Sequence, residues 1–492
     1  MNFIINDLTR ILCALSRKIN LQCNKYTMSK VLPYLIFFCS FMIAGPGTLN
    51  AQTIKLKDAI NTALTNYGTI KAKRNYISAS QASLQQAKTE LLPNLNLSAQ
   101  QDYGTINGQN GPAYGLGGLG VASSGPSFEK QNWNAAFGGL YLANVNWDLF
   151  AFGRIKERVK VANTILERDQ NDLTQEKFQQ EIKVSAAYLN LLAAQRLTKS
   201  QEKNLERAIT FKNTAVIRAH NGLIAGVDSS LAKAEVSSAK IALTRAKDLE
   251  QEQANRLGIL MGITATNMQL DTASIARIPM EMYADSVLNE KTHPLLQFYK
   301  SRIDVSNEQA KLFSKSYFPT FSLFGVIQGR GSGFSSGYAQ DQTAFTQGYA
   351  DGVNPTRGNY LLGAGMVWNL TSILRTRPQV RAQQFQSKGL QNEYELVDQQ
   401  LHAQLALANT KLKNAVDNYN EAPVQVKAAS DAYMQKNTLY KNGLTTIVDL
   451  TQALYTLNRA ETDRDIAYNN VWQALLLKSA ALGNFDLFIN EF

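Results

Sequence analysis

The chain repeats itself at a fixed distance. Trp147 returns as Trp368, Leu149 as Leu370, Arg154 as Arg375 and Val159 as Val380, each 221 positions on. The same step carries Asn221-Gly222-Leu223 onto Asn442-Gly443-Leu444, Val227-Asp228 onto Val448-Asp449, and Gly262 onto Gly483, without a gap. Upstream the step becomes 226, pairing Pro93 with Pro319 and Leu97 with Leu323, so the Gly-rich stretch of the first copy is five residues longer. Length changes of that kind collect in loops. A long internal repeat requires each copy to build the same unit. Each is expected to run shorter helix, strand, Gly-rich loop, strand, very long helix, tight turn, shorter helix. The expected boundaries are 52–262 for the first repeat, 263–290 for a linker, 291–483 for the second repeat and 484–492 for a C-terminal tail.

The strand segments alternate. Phe137, Gly139, Tyr141, Ala143, Val145, Trp147 and Leu149 share one face of a strand, with Asn144, Asn146 and Asp148 opposite. The first copy adds a strand over Asn94 to Tyr103. The second copy offers Phe321, Leu323, Gly325 and Ile327, then Tyr360, Leu362, Ala364, Met366, Trp368 and Leu370. Alternation over about ten residues with aromatics near the ends suits a membrane-spanning β-strand, although a strand of a soluble sandwich also alternates. Export, argued below, and the Gly-rich loops favour the membrane. Four strands are too few to close a barrel, because spanning sheets must leave no edge unpaired and such barrels begin at about eight strands. If the strands lie in lipid, several copies must join.

The long helical runs, Arg154 to Ala219 and Arg375 to Tyr440, would each reach ~100 Å at the α-helical rise, beyond any globular core. Pro423 is expected to interrupt and kink the second. Flanking helices are expected over Val227 to Met261 and Lys55 to Leu92. In the last return helix, Ile447, Leu450, Leu454, Leu457, Tyr468, Val471, Leu475 and Leu482 follow three- and four-residue steps, a coiled-coil seam broken by Glu461, Arg464 and Lys478. Ala453, Ala460, Ala467, Ala474 and Ala481 form a second stripe, matched by Ala232, Ala239 and Ala246. Two seams imply neighbours on two sides, as in the wall of a tube.

Lys30 precedes an apolar run from Val31 to Ala44 that ends in small residues, which reads as a signal peptide over 1–51 with cleavage after Ala51 and a possible start at Met28. A single membrane anchor and a lipoprotein signal at Cys39 are the alternatives. Cleavage would remove Cys13, Cys23 and Cys39, so the mature chain would contain no cysteine, and its net charge would fall from +11 to +7. The basic residues are interleaved with acids along helices, as on solvated faces, so nucleic acid is not an expected partner. Mean hydropathy of −0.23 and nine prolines after residue 51 exclude a polytopic helical membrane protein. His220, His293 and His402 are far apart in sequence, so no metal, cofactor or catalytic set is expected, and the chain is not read as an enzyme.

This layout, with the turns Tyr440-Lys-Asn-Gly443-Leu-Thr-Thr-Ile-Val-Asp449-Leu and His220-Asn-Gly222-Leu-Ile-Ala-Gly-Val-Asp228, resembles the TolC-like outer-membrane efflux protein family from Lys55 to about Gly483. The resemblance implies an α+β membrane protein: a homotrimer in which four strands per chain form a 12-stranded outer-membrane β-barrel, continued by long antiparallel helices as a periplasmic α-barrel. It implies a passive export duct in the outer membrane of a Gram-negative bacterium, extending into the periplasm. The implied partners are a periplasmic adaptor protein, an inner-membrane pump of RND or ABC type (tripartite efflux or type I secretion) and outer-membrane lipid.

Asp228, Tyr440, Asp449 and Gln452 then fall at the periplasmic entrance. Thr445 stands where the best-known member has an arginine, and Gln452 where it has a second aspartate. Asp228 and Asp449 also read as plain helix N-caps, and Tyr440 as a packed helix-end aromatic. Gly222 and Gly443 are expected to end the long helices in a left-handed conformation and, with Leu223 and Leu444, to form tips that meet the adaptor. Trp147 and Trp368 read as membrane-interface aromatics. A periplasmic structural or adhesive coiled-coil protein is the alternative; it leaves the strands and their loops without a purpose.

Overall fold

A computed structural model describes residues 53–108, 126–264, 268–271, 279 and 288–492. The expected signal peptide, the Gly-rich residues 109–125 and most of the 263–290 linker lie outside the described residues. The elements are α1 (Leu56–Asn66), α2 (Gly68–Thr89), β1 (Asn94–Thr105), β2 (Ala135–Phe150), α3 (Arg154–His220), α4 (Gly226–Met261), α5 (Pro294–Lys315), β3 (Thr320–Ser332), α6 (Tyr349–Val353), β4 (Arg357–Val367), α7 (Ser372–Lys441), α8 (Ile447–Leu482) and α9 (Asp486–Ile489). The chain is mostly helical with one small antiparallel sheet. Both ends of α8 lie 221 positions after those of α4.

Three expectations about element limits need correction. The first flanking helix is two helices, because Tyr67 adopts an extended conformation (φ −62°, ψ 126°) and Gly68, a weak helix former, starts the next. It also stops at Thr89 rather than Leu92, since Pro93 disfavours a helical conformation in the residue before it. The interruption expected at Pro423 does not occur: α7 is a single helix of 70 residues with Pro378 and Pro423 inside it. Each proline removes one backbone bond, to the carbonyl four residues earlier, while α5 and α8 pack along the helix. Finally, β4 ends at Val367, leaving Trp368 and Leu370 outside the strand. Val367 pairs with Thr320, and Pro319 beyond it has no N–H to extend the ladder.

The sheet order is β1-β2-β3-β4, all antiparallel, with Leu97, Ala143, Ile327 and Tyr360 in one row across it. Because strand side chains alternate, this register places Leu95, Leu97, Tyr141, Val145, Trp147, Leu323, Ile327, Tyr360, Leu362 and Met366 on one face. The opposite face carries Asn94, Asn96, Ser98, Gln100, Asp102, Asn144, Asn146, Gln328, Arg330, Arg357 and Asn359, interspersed with Leu140, Leu142, Phe324, Val326 and Leu361. On the apolar face Leu97, Tyr360 and Leu362 are 79%, 80% and 76% exposed. Apart from Gln101 and the end where α6 packs on Gly139 and Gly331, this face is apolar and uncovered in the protomer, and it needs a partner other than water. Among the described residues β1 and β4 are the edges.

The helices form a layer in a matching order. Near the turns, α3 touches α4 and α8, and α8 touches α3 and α7; nearer the sheet, α3 touches α2 and α5, and α5 touches α7. Both seams of α8 are used. Ile447, Leu450, Leu454, Leu457, Val471 and Leu475 are at most 4% exposed, and Ala460, Ala467, Ala474 and Ala481 are buried as well. Glu461, a break in the seam, receives two hydrogen bonds from Arg207 of α3, at 3.1 and 2.7 Å. The flanking members remain open. Phe385, Leu396 and Leu407 of α7, eleven residues apart, are over half exposed, as are Ile241 and Ile259 of α4. The same end of the chain order that leaves β4 unpaired leaves α7 uncovered.

Candidate functional site at the helix turns

The two long helices end alike. Gly222 (φ +72°) and Gly443 (φ +77°) take the left-handed conformation that glycine reaches without strain. The N–H of Leu223 then donates back to the Arg218 carbonyl and that of Leu444 to the Leu439 carbonyl, each at 2.9 Å, closing the helix end with a Schellman pattern. Leu223, Val227, Leu444 and Val448 are turned out, 65–72% exposed. Four apolar side chains in water at two adjacent tips have no intramolecular explanation.

Where the copies differ, the second turn is the better secured. Thr446 is the N-cap of α8: its hydroxyl accepts from the Asp449 N–H at 3.2 Å, and the Asp449 carboxylate accepts from the Thr446 N–H at 3.4 Å, a capping box. The hydroxyls of Thr445 and Thr446 donate to the same carboxylate oxygen at 2.8 and 2.9 Å, and Lys436 lies 4.0 Å away. These donors, Thr445 first, then Thr446, then the lysine charge, hold the Asp449 carboxyl below its ordinary range. In the first turn the N-cap is Ala225, which offers no side-chain cap. Asp228 and Asp449 therefore do not precede their helices, as the N-cap reading has it. They are the third residue of α4 and of α8, where a carboxylate meets the free N–H groups and the positive end of the helix dipole.

Tyr440 is 2% exposed, in a cluster with Phe211, Ala215, Ala232, Ile447 and Leu450 that joins α3, α4, α7 and α8. Burial, then the negative charge of Asp228, push its phenol up, while Arg218 opposes them. Its hydroxyl is buried and makes no hydrogen bond among the described residues. Asp228 is thus close enough to act on Tyr440 by charge, without the two being bonded. Gln452 is exposed, one helical turn after Asp449.

Besides the capping Thr446, two residues of this site lay outside the sequence reading. Lys436 is one. Arg218 is the other: its guanidinium donates to the carbonyls of Tyr440 and Lys441, the latter at 2.7 Å, and lies 5.3 Å from the centre of the Tyr440 ring. Both are last-turn carbonyls of α7, and that of Tyr440 also accepts from the Gly443 N–H at 3.1 Å. A basic residue in the last turn of a helix is a recognised helix-end signal, and Arg218 carries it, but its partner belongs to the other copy.

The two tryptophans do the same job 221 positions apart. Trp147 Nε1 donates to the Leu91 carbonyl and Trp368 Nε1 to the Tyr317 carbonyl, both at 2.9 Å. Each ties a strand end to the corner where the preceding helix enters the sheet.

The family model for outer membrane efflux proteins matches residues 59–263 and 289–483. Among solved structures, the fold is similar to the outer membrane protein VceC from Vibrio cholerae (17% identity, 87% of this chain and 96% of that one, TM-score 0.68). It is also similar to the CmeC outer membrane channel of Campylobacter jejuni (13% identity, 87% and 85%, TM-score 0.68). A third is the MtrE outer membrane channel of Neisseria gonorrhoeae, solved in its open state (15% identity, 87% and 89%, TM-score 0.66). Among curated proteins no relative matches the sequence.

Proposed function

We propose that this chain, which belongs to the outer membrane efflux protein family and is a transport protein of the Gram-negative outer membrane, works as one third of a passive trans-periplasmic duct. The observation that carries the reading is the pair of open edges. A four-stranded sheet with an apolar face and two unpaired edge strands cannot rest in lipid alone, because each unpaired N–H or C=O there costs several kcal/mol. Three copies supply twelve strands, enough to close, and the exposed stripes of α4 and α7 would meet as the sheets join. The two repeats, alike in element order and spacing, are read as products of one internal duplication. Because the assembly moves solutes without bond-making, it needs no catalytic residues, and the driving force comes from an inner-membrane pump of RND or ABC type. A periplasmic adaptor would seat on the exposed tips at Leu223, Val227, Leu444 and Val448.

Threefold symmetry turns each Asp449 into a ring of three carboxylates at the inner end, which attracts cations and slows anions. Planar-bilayer recording tests both levels. The wild type is expected to conduct with cation preference, and D449N to conduct with less. No conductance from correctly extracted protein defeats the duct; unchanged selectivity in D449N defeats only the ring. Soluble extraction as a monomer supports the periplasmic coiled-coil reading instead.

A further inference from the structure

Away from the turns, the fold brings Glu290 up to a stripe of α7 that lies more than a hundred residues further along the chain. Tyr394, Asp398 and His402 stand at four-residue steps on α7, a single stripe along the helix. Across from it lies Glu290, in the segment that leads into α5. One donor atom each from Glu290, Asp398 and His402 lie within 4.8 Å of one another, and His402 Nε2 is 3.7 Å from Asp398 Oδ2.

This juxtaposition is held from both sides. Leu288 and Leu296, which bracket Glu290 in sequence, pack on Leu401, with Tyr394, Val397 and Leu405 around them. The turn between is fixed by Asn289, whose side chain accepts from the Lys291 N–H at 3.0 Å and whose carbonyl accepts from Thr292 and His293 at 3.1 Å. Glu290 is therefore placed over the stripe by structure around it. Two carboxylates this close repel each other unless a cation lies between them. Asp398 Oδ2 is the oxygen beside His402, and Oδ1 is buried without a hydrogen bond among the described residues.

We propose that Glu290, Asp398 and His402 bind one first-row divalent metal ion, which fastens the segment ahead of α5 to the long helix α7. Two carboxylates neutralise the ion's charge, and the imidazole selects copper, zinc, nickel or cobalt over the hard ions magnesium and calcium, which prefer oxygen alone. Solvent completes the coordination, since Glu290 and His402 are exposed. This site is structural and does not depend on how the duct works.

The chain makes the test clean. It has three histidines, and all three cysteines precede residue 52. The full mature chain, purified without a polyhistidine tag and stripped with chelator, is titrated with Cu²⁺ and followed by electron paramagnetic resonance and calorimetry. One ion per chain is expected, with coupling to a single imidazole nitrogen. H402Q, an exposed substitution, should lose that coupling and weaken binding at least tenfold; E290Q and D398N should weaken it as well, and H220Q should not. Binding of equal affinity in H402Q, or no saturable binding by the wild type, overturns the proposal.

Discussion

Arg218 of α3 closes the end of α7 by donating to the Tyr440 carbonyl while its guanidinium lies against the Tyr440 ring. One side chain thus joins the two copies of the repeat at the turns. Hydrogen bonds from a charged donor are worth roughly 1.5–3 kcal/mol, less here because Arg218 is partly exposed and the Tyr440 carbonyl also accepts from the Gly443 N–H. R218A is expected to lose about 1 kcal/mol and to be cut faster by protease near Gly443, whereas R218K should keep part of the protection. Equal cleavage of R218A and wild type would show that the contact does not restrain the turn.

Asp449 gives the second turn a pH dependence with a definite sign. Its folded carboxyl sits below the ordinary value of 3.8, so its contribution is complete above pH 4 and is lost as pH falls through the lower folded value. The stability difference between wild type and D449N, measured by thermal melting, should therefore be constant at neutral pH and shrink below about pH 4. T446A removes the cap itself and should cost about 1 kcal/mol at neutral pH. A D449N difference that grows on acidification contradicts this arrangement.

Tyr188 works in the opposite direction. Its hydroxyl donates to the Ile54 carbonyl at 2.8 Å, and burial pushes its phenol up from 10.0 to about 12. Stability from this group is complete below pH 10 and disappears as pH rises toward 12. Y188F should be less stable at neutral pH by about 1 kcal/mol and less sensitive to alkali. Ultraviolet titration that ionises every tyrosine near pH 10 would refute the shift.

The tail after α8 is part of the core. Phe488 is fully buried, edge-on to Trp472 at 6.2 Å, and Phe492 meets Trp472 at 5.1 Å and Tyr188 at 5.9 Å. F488A should cost about 3 kcal/mol through lost burial and the cavity left behind. Chemical denaturation checks this, and a loss under 1 kcal/mol would mean that the tail merely rests on the surface.

Most of the fold was legible because the repeat is long and its punctuation is chemical. Gly222, Gly262, Gly443 and Gly483 each end a helix at positive φ, where few other residues fit, so the helix ends could be read from the glycines. The residues that distinguish the site were hidden by the same method. At the 221 step Arg218 falls on Leu439 and Thr446 on Ala225, so matching the copies sets aside the positions that differ. The stop at Tyr67 has no composition signal beyond one glycine. The meeting of Glu290 with His402 depends on Leu288 and Leu296 packing against α7, which is tertiary information.

The central claim is that the open edges of one protomer are closed by others. Native mass spectrometry of the detergent-extracted protein addresses it directly. Three copies per particle, stable until the detergent is removed, is the predicted result; a single copy that stays in solution without detergent would contradict the account.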